Sequence, residues 1–295
     1  MDLSSFLNNC SKDCLFKSDV PEATKKQPCM LGIDEAGRGP VLGPMVYGIA
    51  YFPIDVKAKM EKQDFADSKS LTENKREEIF NRICAGKIDN FGWMTNVLSP
   101  VTISNSMFRR TKYNLNALSH DTAMGLIQNA IDEGVNVEEV YVDTVGPEAK
   151  YKDKLSARFP AIKFTVAQKA DSKYSVVSAA SICAKVIRDR IIANWRFLED
   201  VKNPEDYGSG YPGDPKTKAF LQNNLDPVFG FPSFVRFSWS TANEILESKA
   251  IECEWEEIDN KPANNKNMNQ FFDSKKQASF FKNRCLHRVT DLSKI

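Results

Sequence analysis

Residues 31–44, LGIDEAGRGPVLGP, limit what this chain can fold into more than any other stretch. An apolar run from Met30 to Ile33 ends in two adjacent carboxylates, Asp34 and Glu35, and a glycine-flanked arginine follows, Gly37-Arg38-Gly39. A carboxylate at the end of a buried strand is costly unless something pairs with it, and a cation is one candidate. Glycines in the turn let a second molecule approach the backbone closely. Side chains alternate faces along a strand. Either one of the two acids is structural, or the strand ends between them and both turn to one site.

The remaining pattern alternates strands and helices. MVYGIAYF (45–52) reads as a second strand antiparallel to 30–35, and NFGWMTNVLS (90–99) as a third. Between them, Thr72 caps a helix running to about residue 83. Leu118, Thr122, Leu126 and Ala130 hold helical spacing until Gly134 stops it. VEEVYVDTVG (137–146) is a strand ending in Asp143, and a short helix occupies 148–158. AIKFTVAQ (161–168) is a further strand, and one long helix opens at Asp171 and runs to about 199. Ala180, Ala184, Ile187 and Ile191 give that helix a buried stripe of mostly small residues, suited to close packing on a sheet. A turn-rich loop (203–216) and a helical C-terminal part complete an α/β domain with a mixed sheet. Residues 1–28 read as a flexible lead-in, and from about 250 the chain becomes acidic, then Asn-rich, as an extension suited to partner docking.

Composition narrows the chemistry. No apolar run nears the ~20 residues needed to span a bilayer, and the N-terminus lacks a signal-peptide pattern. The seven cysteines are odd in number and scattered, which argues against a disulfide framework and for a reducing compartment. Two histidines, His120 and His287, cannot build a histidine metal site. With a net charge of +1, any hold on nucleic acid must come from a local basic surface.

Asp34, Glu35, Asp143 and Asp171 all end strands or open a helix, the places where open α/β sheets put their sites. Four carboxylates can hold two divalent cations, and an oxygen-only set suits Mg²⁺ or Mn²⁺ rather than zinc. Taken singly, Asp171 is a helix cap and Asp143 a turn former. Their convergence points to a site. Gly37-x-Gly39-x-x-x-Gly43 has the wrong spacing for a dinucleotide fingerprint.

GIDEAGRGP, YVDTVG and ADSKYSVVSAASICAKVIRDR, in this order, resemble type 2 ribonuclease H, and DSKSLTENKREEIF, YNLNALSHDTA, GSGYPGDP and VFGFPSFVRFSWSTA resemble further blocks of its eukaryotic form. The match covers about residues 30–245. It implies an RNase H-like mixed sheet flanked by helices with a C-terminal helical subdomain, a catalytic domain over 29–249, and hydrolysis of the RNA strand of RNA–DNA hybrids and of duplexes holding single ribonucleotides. Asp34, Glu35, Asp143 and Asp171 match the family's metal-binding acids. Gly37, Arg38, Gly39 and Tyr211 match the residues that read the 2′-hydroxyl, the one group separating RNA from DNA at a site. Ser181, Lys185 and Arg188, at i, i+4 and i+7, match residues facing substrate phosphates. Lys69 is a further candidate, and Arg109, Arg110, Lys112, Asn114 and Asn116 could hold the other strand.

The resemblance further implies a nuclear enzyme and a heterotrimer with two non-catalytic partners, against which SFFKNRCLHRV (279–289) would pack. Residues 265–272, NKNMNQFF, are similar to a sliding-clamp box, with Met268 as the aliphatic residue and Phe271 and Phe272 as the aromatic pair, although Asn265 stands where Gln is usual. A non-catalytic scaffold, or an RNase H-like nuclease or integrase of other specificity, would be favoured only by loss of an acid, of the Gly-Arg-Gly turn or of Tyr211.

Overall fold

The computed structural model of the chain describes residues 1–63, 65, 71–111, 113–144 and 146–252. In chain order its elements are α1 (Ser4–Leu7), β1 (Cys14–Lys17), α2 (Glu22–Lys26), β2 (Cys29–Ala36), β3 (Met45–Pro53), α3 (Lys57–Met60), α4 (Glu73–Cys84) and β4 (Gly92–Leu98). There follow α5 (Pro100–Met107), α6 (Leu115–Asp132), β5 (Val137–Asp143), α7 (Glu148–Arg158), β6 (Lys163–Ala167), α8 (Ser175–Ala193), α9 (Pro215–Asn223) and α10 (Ser240–Lys249). The strands form one sheet in the order β1-β4-β3-β2-β5-β6. The β1–β4–β3–β2 part is antiparallel and the β2–β5–β6 part parallel, so the sheet is mixed, as the strand and helix pattern predicts.

Every residue of β3 and all but Glu35 of β2 are buried, because helices cover both faces. Alternation divides each strand between two cores. Met30, Val46, Ala50 and Phe52 join the apolar face of α8 and Phe80 of α4. Leu31, Ile33, Tyr47 and Ile49 join Leu118 and Leu126 of α6 and Tyr151 and Leu155 of α7. A Cβ on Gly32 would lie 2.3 Å from the Val176 carbonyl oxygen, and one on Gly48 would lie 2.7 Å from that of Ala180. These two glycines let the backbone of α8 settle onto β2 and β3.

The C-terminal subdomain has its own small core. Phe234 packs among Trp195, Phe197, Tyr207 and Phe220 with ring centroids 4.8–6.4 Å apart. Val41 and Leu42, from the turn after β2, belong to this core too. The glycine-rich turn is thus shared between the sheet and the subdomain.

Two expectations change. Residues 1–28 are folded against the domain rather than trailing from it. Phe6 is fully buried and meets Trp195 edge-on at 6.0 Å, and β1 pairs with β4 in the register Cys14↔Val97. The polar composition hides this because Leu3, Phe6, Cys10 and Phe16 are the segment's only buried apolar residues. The expected long helix from Asp171 divides: Asp171 sits in a separate 3₁₀ turn (Ala170–Ser172), and α8 ends at Ala193. Cys10, Cys14, Cys29, Cys84 and Cys183 are all free thiols. Met1–Ile251 form one compact unit. Met268, Phe271, Phe272 and the 279–289 segment lie outside the described residues.

Gly32→Ala should lower stability by about 1–3 kcal/mol, since α8 must lift off the sheet. Gly125→Ala, at a position of α6 where a Cβ meets nothing within 4 Å, should raise it by about 0.5–1 kcal/mol. Urea midpoints at unchanged m-value measure both, and equal shifts would contradict the packing described.

Candidate active site

The acids gather at one end of the central strands. Ile33 of β2 pairs with Val142 of β5, so Asp34 and Asp143 follow side by side on adjacent parallel strands. The Asp143 Oδ1 accepts the Ala170 N–H at 2.8 Å, which holds the 3₁₀ turn carrying buried Asp171 against the end of β5. Asp34 is 5% exposed, and its Oδ1 accepts the Glu35 N–H at 2.8 Å. Burial pushes its carboxyl well above the usual carboxylate range; the charges of Glu35 and Asp143 add to this, while hydrogen bonds from Ser181 and the Glu35 N–H oppose it.

Asp34 and Glu35 do not turn to one side. Asp34 pairs with Gly48, whose bare face lies under α8, and it is hydrogen-bonded to Ser181 of that helix. Glu35 pairs with Tyr47 and looks toward α6 and α7. There it shares a cavity of about 20 Å³, room for roughly one water, with Arg38, Tyr47, Asn116, Ser119, His120, Asp143, Thr144 and Tyr151. Burial, then the Glu35 charge, raises the Tyr47 hydroxyl well above its ordinary value, so it stays protonated beneath the acid. A roomier cleft of about 600 Å³ at the β1 edge, lined by Phe16, Lys17, Ile83 and Trp93, holds none of the expected site residues.

The Gly37-Arg38-Gly39 turn is held from behind. Arg236 is fully buried, and its guanidinium donates to the carbonyls of Gly43 at 2.9 Å, Arg38 at 3.1 Å and Gly37 at 2.6 Å. The Trp239 indole N–H donates to the Gly39 carbonyl at 3.0 Å, and the Arg236 guanidinium lies over the Trp239 ring at 4.8 Å. The described peptides are trans. Pinning the Gly37 and Arg38 carbonyls inward therefore turns the N–H groups of Arg38 and Gly39 the opposite way. Gly37 has φ +78°, and a Cβ there would overlap the Arg188 side chain, so the turn admits only glycine.

Tyr211 comes to this turn from the subdomain. A Cβ on Gly39 would lie 3.1 Å from the Tyr211 ring, which is 54% exposed. The Tyr211 loop is anchored on both sides. The Gly210 carbonyl accepts the Val41 N–H at 2.8 Å, and the Gly210 N–H donates to the Thr217 hydroxyl at 2.9 Å. Asp214 caps α9 and also accepts the Ser209 N–H.

Other candidates fare differently. Ser181 is fully buried beneath Asp34 rather than facing outward, because α8 lies across β2 and β3 and buries a wide arc. The Arg188 Nε donates to the Pro44 carbonyl at 3.1 Å, so Arg188 braces the turn from beneath. Lys185 is half-buried on the same helix. Asn114 caps α6, its side chain accepting the Ala117 N–H at 3.0 Å. Asn116 and Ser119 both accept from the Arg38 guanidinium, which docks Arg38 onto α6. Arg109 lies over the Tyr113 ring at 5.0 Å, with Arg110 exposed beside it. Lys69 and Lys112 lie outside the described residues.

The residues that sequence reasoning overlooked are Arg236, Trp239, Tyr47, Ser119, His120 and Tyr151. Arg236 was signalled by its setting, an arginine enclosed by apolar residues in PSFVRFSW. Tyr47 follows from pairing β2 with β3 across the turn, whereas the α6 and α7 residues need the tertiary fold.

The acids offer oxygen donors alone, Asp34 and Asp143 on adjacent strands and Asp34 nine-tenths buried and repelled by the charges of Glu35 and Asp143, a set that fits a hard divalent cation. Among the described residues no three His, Cys, Asp or Glu side chains are already gathered as a ready ion site. Asp34 and Asp143 each accept a main-chain N–H instead.

A mixed sheet of this order with acids at the ends of adjacent central strands defines an RNase H-like nuclease. The model of the family described as Ribonuclease HII matches residues 31–242. A ribonuclease H2 subunit from Homo sapiens is 55% identical over 258 residues, covering 87% of this chain and 86% of its own, and the protein of the same name from Arabidopsis thaliana is 50% identical over 240 residues, covering 81% and 80%. Among solved structures, ribonuclease H2 from Pyrococcus horikoshii OT3 superposes with a TM-score of 0.62 at 32% identity, covering 75% of this chain and 98% of its own. RNase HII from Archaeoglobus fulgidus, solved in a PCNA:RNase HII complex, gives 0.60 at 29%, covering 73% and 96%. The chain belongs to the ribonuclease HII family. It is a ribonuclease H.

In chelator at neutral pH, Asp34→Asn should raise Tm by a few degrees, because it removes a buried charge beside two others. The sign follows from the raised Asp34 carboxyl: its contribution is present below the ordinary carboxylate range and is lost as pH rises through the folded value. The gap between variant and wild type should therefore shrink on acidification, and an Asp34→Asn chain melting below wild type at neutral pH would contradict this. Arg236→Met should cost about 3 kcal/mol or more, since three carbonyls of the turn lose their donor; urea unfolding measures it.

Proposed function

We propose that the chain is the catalytic subunit that hydrolyses the RNA strand of RNA–DNA hybrids and cuts on the 5′ side of single ribonucleotides in duplex DNA, leaving a 5′-phosphate and a 3′-hydroxyl. The observation that carries this is the adjacency of two devices. The Gly37–Gly39 turn, its carbonyls pinned by Arg236 and Trp239 and its face covered by Tyr211, follows directly on the Asp34–Glu35 pair. A turn with N–H groups aimed outward suits the ribose 2′-hydroxyl, which both accepts and donates. Tyr211, exposed beside Gly39, offers a flat ring for the next sugar, and a deoxyribose fits closest there. This favours the RNA-to-DNA junction.

Asp34, Glu35, Asp143 and Asp171 would hold two divalent ions, Mg²⁺ or Mn²⁺. Such ions, when bound, activate water and neutralise charge on the scissile phosphate and leaving oxygen. The chain's own residues orient the substrate. The glycine turn and Tyr211 fix the ribose, and the Tyr47 hydroxyl, kept protonated, supports the floor under Glu35. Half-buried Lys185 and exposed Arg109 and Arg110 would meet phosphates, and such contacts make affinity fall with salt.

The curated relatives are named as one subunit of ribonuclease H2, which supports assembly of this chain with two auxiliary proteins into a heterotrimer. Docking of a sliding clamp through Met268, Phe271 and Phe272 draws support from the archaeal relative solved with PCNA. Ribonucleotide excision repair and removal of replication RNA in the nucleus are the matching cellular roles.

The test uses the chain assembled with its auxiliary proteins, Mg²⁺ and a duplex carrying one ribonucleotide. Wild type should cut at that ribonucleotide, and Asp34→Ala should lower the rate by about three orders of magnitude. Equal cutting by Asp34→Ala would end the metal assignment. Tyr211→Ala should slow this substrate by at least about tenfold, roughly the worth of one lost hydrogen bond and its ring packing. Unchanged rates for Tyr211→Ala and Tyr211→Phe would remove Tyr211 from the reading.

A further inference from the structure

The cavity beside Glu35 contains one ring whose position the proposed chemistry does not use. His120, on the second turn of α6, lies flat on Tyr151 of α7, with ring centroids 3.8 Å apart and planes 12° from parallel. Tyr151 is 5% exposed and part of the core, so it fixes the imidazole plane, while His120 itself stays half-buried. The ring lines the same cavity as Glu35, Asp143 and Thr144.

The charges around the ring are arranged in two groups. Glu35 of β2 and Asp143 of β5 form the acidic side of the cavity. Arg38, from the turn after β2, and Lys154, on α7, both act on His120 as positive neighbours, and Asp121 on α6 opposes them while paired with Lys154 at 2.9 Å. The Arg38 guanidinium is fixed by Ser119 and Asn116, one and four residues before His120 on the same helix. The imidazole therefore lines the acids' own cavity, with one cation, Arg38, in the same lining and a second, Lys154, acting on it from α7. A phosphodiester drawn to the acids through divalent ions would lie outside this cavity, which has room for roughly one water, and would meet the half-buried ring from the solvent side. A purely structural stack needs only a flat ring, and α6 could supply one with no nitrogen.

We propose that His120 is a further catalytic residue of this site: its imidazole, held flat on Tyr151 in the cavity it shares with Glu35, Asp143 and Arg38, donates a hydrogen bond to a phosphate oxygen of the strand being cut and orients it for hydrolysis. This rests on the nuclease reading above. His120 takes no part in holding the ions; it adds a hydrogen-bond donor beside the acids. A hydrogen bond to a charged phosphate is worth enough to change turnover roughly 10- to 100-fold when lost.

The test compares wild type, His120→Phe and His120→Ala in the assembled complex, on a duplex with one ribonucleotide and Mg²⁺. His120→Phe keeps a ring to lie on Tyr151 and loses both nitrogens. The expected result is a kcat lowered at least ~10-fold in both variants with KM changed little, and a His120→Phe melting temperature near wild type. Free imidazole should restore part of the rate to His120→Ala, which has room for it, and none to His120→Phe. Wild-type kcat in His120→Phe would overturn the inference and leave the nuclease reading intact. So would a loss confined to Tm, or absence of rescue in a stably folded His120→Ala. Absence of cleavage by the wild-type complex would overturn both.

Discussion

The close seat of α8 on the paired strands β2 and β3 governs the rest of this molecule. It exists because Gly32 and Gly48 present no side chain where the Val176 and Ala180 carbonyls descend. Once α8 lies there, Ser181 falls beneath Asp34, and the helix covers the carboxylate so that 5% of it remains exposed. The same seat carries Arg188 to the Pro44 carbonyl and under Gly37, where it braces the turn. One helix–sheet contact thereby sets both the burial of an acid and the shape of the loop beside it. Lifting the helix would release the two together.

The acid pair obeys strand alternation rather than escaping it. Asp34 faces α8 and Glu35 faces α6, so the sheet's edge runs through the middle of the site. Each acid meets a different wall. Asp34 has a buried hydroxyl and a neighbouring strand's carboxylate; Glu35 has two tyrosines, a histidine and a docked arginine. Unlike surroundings of this kind give chemically identical groups different properties.

Much of this was legible in the sequence, and what was not has a physical reason. The apolar runs that stop at Ile33 and Val142, the turn glycines and the small-residue face of α8 are local patterns, and the acids' common location followed from them. The misplaced residues are those whose neighbours come from far along the chain. Ser181 occupies a helical position that could face either way; the depth at which α8 sits decides it. Asn116 has the composition of a surface contact and instead receives Arg38 from the turn after β2. The N-terminal segment looked loose because four buried apolar residues among twenty-eight are too sparse to give a period. Asp171 was placed on a long helix because nothing local marks the break that its bond-linked neighbour Ala170 makes with Asp143.

Arg236 stands nearly two hundred residues after the turn it fixes, with Trp239 just beyond it. A nascent chain emerging from the ribosome therefore carries Asp34, Glu35, Asp143 and Asp171 before it acquires the guanidinium that holds the Gly37 and Arg38 carbonyls. During synthesis the acids and the fixed turn therefore arise at different times, and the second waits for the final subdomain. The shape of the turn thus depends on the last part of the domain to be made rather than the first.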